Sequence, residues 1–269
     1  SIWEKPLSKV FPPISGKETP ASYPEFATKV HPSVEEKRKS FVKTSYTIKP
    51  KVLIPVFPGT NCEFDMARAF AISGADAKIF VFRNNTPEAL AQSLEELAKE
   101  LSTSQILALA GGFSAGDEPD GSGKFIANVL REHRIADNVM SLLQKRDGLV
   151  LGICNGFQAL IKVGLVPYGI IREPSEEMPT LTYNTIGRHI SRICRTRLTS
   201  AATPWAYDET VLADGTQLIP LSHGEGRVIL SNQIAEELFN KGQVFSQYTD
   251  EFGNPALTEP DNPNGSAFA

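Results

Sequence analysis

The stretch Leu149-Val-Leu-Gly-Ile-Cys-Asn-Gly-Phe-Gln-Ala-Leu160 places a cysteine between two glycines, where an apolar strand gives way to a helix. Residues 148–153 predict a buried strand, and residues 155–163 predict a helix that Gly164 stops. Glycines two residues on either side of Cys154 let backbone segments approach in a strained turn, which is typical of a nucleophile elbow. The pattern predicts a thiol exposed at a sheet edge and at a helix N-terminus, where partial positive charge favours the reactive thiolate.

Strands and helices alternate in the sequence before this turn. Further strands are predicted at residues 51–57, 77–82 and 105–110. Helices are predicted after the capping-box pattern Thr60-x-x-Glu63, after Thr86-Pro87, and over residues 123–145. Because nearly continuous apolar strands belong to parallel sheets covered on both faces, we expect an α/β three-layer sandwich with a mostly parallel central sheet.

The two ends of the chain differ from this pattern. Residues 182–198 alternate like an exposed strand, residues 217–230 read as a hairpin around Gly224 and Gly226, and Ser231 is placed to cap a helix that ends at Gly242. Residues 1–50 hold seven of the 19 prolines and nine lysines and arginines against five acidic residues. We expect an irregular, basic N-terminal arm or linker over 1–50 and one folded domain over 51–269.

Composition excludes several classes of protein. The three cysteines, Cys62, Cys154 and Cys194, are too few for a disulfide scaffold and form no C-x-x-C pair, so no metal site is expected. The net charge is −4 and no basic block stands out, which argues against nucleic acid as a partner. No run approaches the roughly 18 apolar residues of a membrane span, so we expect a cytoplasmic protein that does not enter the membrane.

Two polar, glycine-rich stretches accompany the cysteine turn. Gly111-Gly-Phe-Ser-Ala-Gly-Asp117 follows the neighbouring strand, so its backbone N–H groups and that of Asn155 can form an oxyanion hole. In Ser222-His-Gly-Glu-Gly-Arg227, His223 can orient substrate or act as base, and Glu225 can orient the imidazole. Each also has a purely structural interpretation: Cys154 as a small buried apolar residue, Gly111-Gly112 as a tight turn, and the last stretch as a hairpin turn.

Taken together, these segments resemble the class I glutamine amidotransferases, and within them the glutaminase domain of phosphoribosylformylglycinamidine synthase, an enzyme of purine biosynthesis. The match rests on motifs spread over most of residues 51–269: Pro58-Gly-Thr-Asn-Cys62, Gly111 to Asp117, Gly152-Ile-Cys-Asn-Gly-Phe-Gln158, Ser222 to Arg227 and Asn262-Pro-Asn-Gly-Ser266. The resemblance implies a flavodoxin-like fold and a ligase component that hydrolyses glutamine and passes ammonia to a synthetase domain, in the same polypeptide or in a complex.

The resemblance also implies residue roles. Cys154 would be the nucleophile, and Gly112 and Asn155 would supply the oxyanion N–H groups. The substrate-binding residues would be Phe113, Gln158, Ser222, His223, Gly224 and Glu225. No cofactor is implied in this domain, whereas ATP and magnesium would bind the partner synthetase domain. The family's His-x-Glu pair, which completes the triad, is expected beyond Ala269, so we interpret the sequence as truncated before its last strand.

Two other functions fit the same sequence. One is a different cysteine hydrolase or deglycase on the same fold, which would turn over other amides or aldehydes. The other is a non-catalytic docking or regulatory module of a synthetase. Oligomeric state, gating of the ammonia path and the role of residues 1–50 are not predicted by the sequence.

Overall fold

The computed structural model describes residues 30–32, 49–116, 122–205, 215–266 and 268–269. Most of the expected N-terminal arm therefore lies outside the described residues, as does Asp117 of the second glycine-rich turn. Within the short described piece of the arm, the His31 backbone N–H donates to Thr199 O at 2.7 Å.

Four parallel strands form the central sheet, in the order β2-β1-β3-β4. They are β1 (Lys51–Val56), β2 (Asp76–Val81), β3 (Ile106–Leu109) and β4 (Leu149–Gly152). Apart from the exposed Lys51 at the start of β1, both inner strands are apolar and are largely buried on both faces, as strands of a parallel sheet between helical layers should be. Leu109 pairs with Gly152, so the loops that follow β3 and β4 leave the sheet side by side.

Helices cover both faces of this sheet. They are α1 (Glu63–Ile72), α2 (Pro87–Thr103), α3 (Lys124–Arg131), α4 (His133–Gln144), α5 (Asn155–Val163) and the single turn α6 (Leu165–Tyr168). Met66 and Phe70 of α1 pack on one face of the sheet, against a small cluster that includes Ile54. A larger cluster on the other face takes side chains from α2 to α5. These three layers confirm the predicted fold class.

One helix-cap prediction was wrong. Helix α1 does not use Thr60 as its cap: it begins after Cys62, which has φ 66°, while the Thr60 hydroxyl accepts from the Phe57 N–H instead. The predicted helical stretch over residues 123–145 consists of two consecutive helices, because the chain turns at Glu132 (φ −57°, ψ 128°). The Glu132 carboxylate caps the second helix by accepting from the Arg134 and Ile135 N–H groups.

The remaining elements form two small antiparallel sheets and one helix: β5 (Thr180–Thr182), β6 (Ile190–Leu198), β7 (Thr216–His223), β8 (Arg227–Ile229), α7 (Asn232–Asn240) and β9 (Ser246–Tyr248). The predicted hairpin over residues 217–230 was wrong, because β7 pairs with β6 whereas β8 pairs with β5. The glycine-punctuated turn after β7 therefore passes from one sheet to the other. Helix α7 is capped by the Ser231 hydroxyl, as predicted.

Within the described ranges, no helix combines the length and the apolarity that crossing a bilayer requires.

Candidate active site

Cys154 stands on a strained turn between β4 and α5. Its backbone has φ 51° and ψ −108°, a conformation that residues with a side chain rarely adopt. The flanking glycines make the turn possible. A Cβ on Gly156 would lie 2.3 Å from Leu109 O, and a Cβ on Gly152 would lie 2.8 Å from the Gly156 carbonyl carbon. The cysteine is therefore presented by close backbone packing that only glycine allows, as in a nucleophile elbow.

The thiol of Cys154 is exposed and lies at the N-terminus of α5. The interpretation of Cys154 as a buried apolar residue is therefore wrong. Its Sγ lies 3.9 Å from Ser222 O, so the end of β7 borders the sulfur. Cys194, by contrast, is buried, whereas Cys62 is exposed.

The Gly111-Gly112 turn lies directly beside the cysteine. A Cβ on Gly111 would come within 3.3 Å of Cys154 Cβ, and the Ser114 N–H donates to Asn155 Oδ1 at 3.2 Å. Among the described residues, the Gly112 N–H donates no hydrogen bond, whereas the Phe113 N–H is taken by Gly59 O at 2.8 Å. The Phe113 ring is 59% exposed. The two glycine-rich turns thus meet at one sheet edge, as their positions after neighbouring strands predict.

Asn155 and Gln158 are both buried in the first turn of α5. Asn155 Nδ2 donates to Gln158 Oε1 at 2.9 Å, and Gln158 Nε2 donates to Glu225 O at 3.3 Å. The Gln158 amide therefore joins the helix that carries the nucleophile to the turn that follows β7.

Asn184 holds that turn in place, although no sequence pattern pointed to it. Its side chain donates to His223 O at 2.9 Å and accepts from the Gly226 N–H at 3.2 Å. Its backbone N–H donates to Gly224 O at 2.9 Å. Asn184 is buried and lies between β5 and β6, so its contact with the turn depends on long-range pairing that the sequence does not announce.

His223 lies beneath the same turn. A Cβ on Gly226 would lie 2.3 Å from its Cε1, so the glycine makes room for the imidazole. Burial lowers the pKa of His223 from its usual value, and repulsion by a charged His189 adds to this effect. His223 Nδ1 is buried without a hydrogen-bond partner in the described part of the chain.

One expectation about the polar stretch was wrong. Glu225 does not orient His223, because its carboxylate accepts a hydrogen bond from the Ser122 hydroxyl instead. His189, which the sequence did not place at the site, is exposed and has Nε2 3.0 Å from Ser222 Oγ.

A cavity of about 270 Å³ lies next to Gln158. Its lining includes Ser122, Lys162, Tyr183, Glu225 and strand β5. Sequence reasoning missed Ser122, Lys162 and Tyr183. Ser122 and Tyr183 reach the cavity through packing of separate elements, whereas Lys162 lies one turn beyond Gln158 on α5.

The chain is similar to known proteins over a range that includes all of these site residues. The profile of the CobB/CobQ-like glutamine amidotransferase domain matches residues 49–269. The phosphoribosylformylglycinamidine synthase subunit PurQ of Dehalococcoides mccartyi is 32% identical over 222 residues, covering 81% of this chain and 76% of the relative. The same subunit of Treponema denticola is 33% identical over 232 residues, covering 81% and 80%.

A solved structure, PurLQS from Thermotoga maritima, aligns with a TM-score of 0.49 and 23% identity, over 81% of this chain and 86% of that one. The family profile spans the elbow, the Gly111-Gly112 turn and the turn after β7, and so confirms the resemblance stated from the motifs. The chain belongs to the CobB/CobQ-like glutamine amidotransferase domain family.

Proposed function

We propose that the chain is the glutaminase component of phosphoribosylformylglycinamidine synthase. It hydrolyses glutamine to glutamate and ammonia, and the ammonia passes to a synthetase that uses ATP and magnesium to make formylglycinamidine ribonucleotide. The observation that carries this proposal is the exposed sulfur of Cys154 on a strained turn beside Gly111-Gly112. Both relatives are phosphoribosylformylglycinamidine synthase subunits, and each alignment covers 81% of this chain. Their names support the choice of purine biosynthesis as the pathway.

The reaction begins with the Cys154 thiolate. Sulfur adds to the side-chain carbonyl carbon of glutamine, and negative charge develops on the oxygen. The N–H groups of Gly112 and Asn155 stabilise that charge. The C–N bond then breaks, the nitrogen takes a proton and leaves as ammonia, and a γ-glutamyl thioester remains. Water adds to the thioester, the C–S bond breaks, and glutamate and the thiol are released.

The substrate lies between α5 and the turn that follows β7. Gln158 is already tied to this turn through Glu225 O, so both sides of the substrate site are fixed before glutamine binds. Ser222, His223, Gly224 and Glu225 contact the amino-acid end of glutamine, and the exposed ring of Phe113 flanks it.

His223 belongs to the wall of the substrate site and is not the general base of this proposal. Burial lowers its pKa, which makes the imidazole a weaker proton acceptor.

Covalent labelling tests the proposal directly. The full chain is incubated with a diazoketone analogue of L-glutamine, and the modified peptides are identified by mass spectrometry. We expect the label on Cys154 alone, since only its sulfur lies beside the substrate carbonyl. Cys62, which is also exposed, serves as the internal control for non-specific alkylation.

Two outcomes would overturn the proposal. One is labelling of Cys62 and Cys154 at similar rates. The other is labelling of Cys154 that excess L-glutamine does not slow, because the analogue would then not occupy a glutamine site. Turnover of simple aldehydes or unrelated amides, abolished in Cys154→Ala, would favour a different hydrolase of the same fold.

A further inference from the structure

The motif Asn262-Pro-Asn-Gly-Ser266 forms a loop whose polar side chains are buried. Asn262, Asn264 and Ser266 are each no more than 2% exposed. Asn262 shapes the loop: its Oδ1 accepts from the Asn264 and Gly265 N–H groups, and its Nδ2 donates to two backbone carbonyls. Buried polar side chains are costly unless they are hydrogen-bonded, and a satisfied network fixes a single arrangement. The loop therefore presents Asn264 and Ser266 in a defined position.

Asn264 and Ser266 hold the backbone at the end of the turn that follows β7. Asn264 Nδ2 donates to Gly226 O, 38 residues earlier in the chain, at 3.0 Å. The Ser266 hydroxyl donates to the same oxygen at 3.4 Å and accepts from the Val228 N–H at 2.7 Å. Asn184 accepts from the N–H of Gly226. Buried side chains therefore hold Gly226 at both its N–H and its carbonyl group.

Gly226 is the residue through which this loop reaches the candidate active site. It lies so close to the His223 imidazole that a Cβ on it would be 2.3 Å from His223 Cε1. It directly follows Glu225, whose carbonyl oxygen accepts from Gln158 Nε2 at 3.3 Å. Gln158 lies on the helix that begins after Cys154. A shift of Gly226 would therefore move both His223 and the contact between the turn and that helix.

We propose that Asn264 is a positioning residue for glutamine hydrolysis, because its hydrogen bond to Gly226 O keeps the turn after β7 where the substrate requires it. This inference rests on the proposed glutaminase function. Asn264 is 2% exposed, so it acts through Gly226 and not by contact with glutamine. A turn that is already ordered binds substrate without the cost of ordering it. Loosening the turn should therefore weaken glutamine binding and leave the sulfur itself unchanged.

Protection of Cys154 from iodoacetamide measures glutamine binding without requiring turnover. The rate of Cys154 alkylation in the full chain is followed against increasing L-glutamine, at a temperature where circular dichroism shows each variant to be folded. In Asn264→Ala, we expect the half-protecting concentration of L-glutamine to rise at least about fivefold, the effect of losing one hydrogen bond to the ligand. The alkylation rate without glutamine should not change, because glycine packing holds the turn that carries Cys154.

Tyr248→Phe is the matched control. The Tyr248 hydroxyl accepts from the same Asn264 amide at 3.1 Å, so its removal costs that amide a buried hydrogen bond and spares the contact with Gly226 O. Thr199→Val controls for a loss of stability alone, since it removes a buried hydrogen bond to Val244 O at 2.6 Å. Both variants should keep the half-protecting concentration of the unmodified chain, which a purely structural role of Asn264 would not predict.

Ser266→Ala is a second test that leaves Asn264 in place. It removes the hydroxyl from Gly226 O and from the Val228 N–H, and should also raise the half-protecting concentration. It decides the inference if Asn264→Ala does not fold. Normal protection in folded Asn264→Ala, or in Ser266→Ala where it replaces that variant, would overturn the inference. An equal shift in Tyr248→Phe or Thr199→Val would also overturn it.

The failure of this inference is distinguishable from failure of the proposed function. If L-glutamine protects Cys154 equally well in the unmodified chain and in Asn264→Ala, the function stands and Asn264 has no positioning role. If L-glutamine does not protect Cys154 even in the unmodified chain, both proposals fall together.

Discussion

Cys154 has a backbone conformation that its own Cβ disfavours, and such conformations cost on the order of 1–3 kcal/mol each. The neighbouring packing maintains it, because Gly156 lies against Leu109 O and Gly111 lies against Cys154 Cβ. Strain at this residue therefore places the sulfur at the mouth of the turn rather than in the core.

A second residue, His223, makes the stability of the protein depend on pH. Its pKa is lowered in the folded state by burial and by His189, so the unfolded state binds a proton more readily. Stability should then be unaffected above the ordinary histidine pKa and should fall as pH decreases through it toward the lowered value. Urea unfolding between pH 7.5 and 5 checks this. His223→Gln should flatten part of the slope; an equal slope in both proteins would contradict the prediction.

At the residue scale, the sequence predicted those site residues that lie close together along the chain. Cys154, Asn155 and Gln158 follow one another along one strand-to-helix turn, so their proximity is a consequence of spacing. Asn184 could not be found in this way, because an asparagine gives no pattern and this one reaches the site only after distant strands have paired.

At the scale of elements, the parallel sheet was predictable because its strands are short, mainly apolar segments that alternate with helices. The hairpin over residues 217–230 was not, because the pairing partner of an antiparallel strand depends on tertiary structure. β7 pairs along its whole length with β6, and this leaves Gly224 and Gly226 as a crossing between sheets. One helix cap also failed: Thr60-x-x-Glu63 has the capping pattern, but the Thr60 hydroxyl accepts from the Phe57 N–H instead.

The turn after β7 provides the prediction at this scale. In Asn184→Ala, the Gly226 N–H and the His223 carbonyl lose their side-chain partners. Leaving buried polar groups unsatisfied costs about 1–3 kcal/mol, so the free energy of unfolding in urea should fall by that amount. The half-protecting concentration of L-glutamine for Cys154 should rise, while alkylation without ligand stays unchanged.

Asn138→Ala is the matched control for this change, since Asn138 is a half-buried asparagine away from the site, whose amide donates to Arg134 O within α4. Its effect on unfolding should stay within about 0.5 kcal/mol. If Asn184→Ala left both stability and protection unaltered, the turn would be held by other contacts.

At the scale of the whole molecule, the candidate site lies between the parallel sheet and the antiparallel sheets. The nucleophile and the oxyanion turn come from the parallel sheet, whereas Ser222 to Glu225 come from the antiparallel part. Gln158 and Ser122 connect the two through Glu225. The nucleophile side could be derived from the sequence. On the substrate side, the sequence singled out the stretch Ser222 to Arg227 but not its position, because that position depends on β6 and Asn184.

The two helical layers of the sandwich differ in how firmly they are packed, and this difference gives a last prediction. Helix α4 buries Ile135, Val139 and Leu142 completely, whereas α1 has no buried residue and leaves Phe64 74% exposed. Segments with few buried apolar contacts open more easily. Hydrogen exchange of the full chain, read by mass spectrometry, should show α1 exchanging well before α4. Strand β1, which lies between both layers, should exchange slowly and so exclude global unfolding as the cause. If the amides of α1 were as protected from exchange as those of α4, the prediction would be wrong, and the exposed face of α1 would have to be covered in solution.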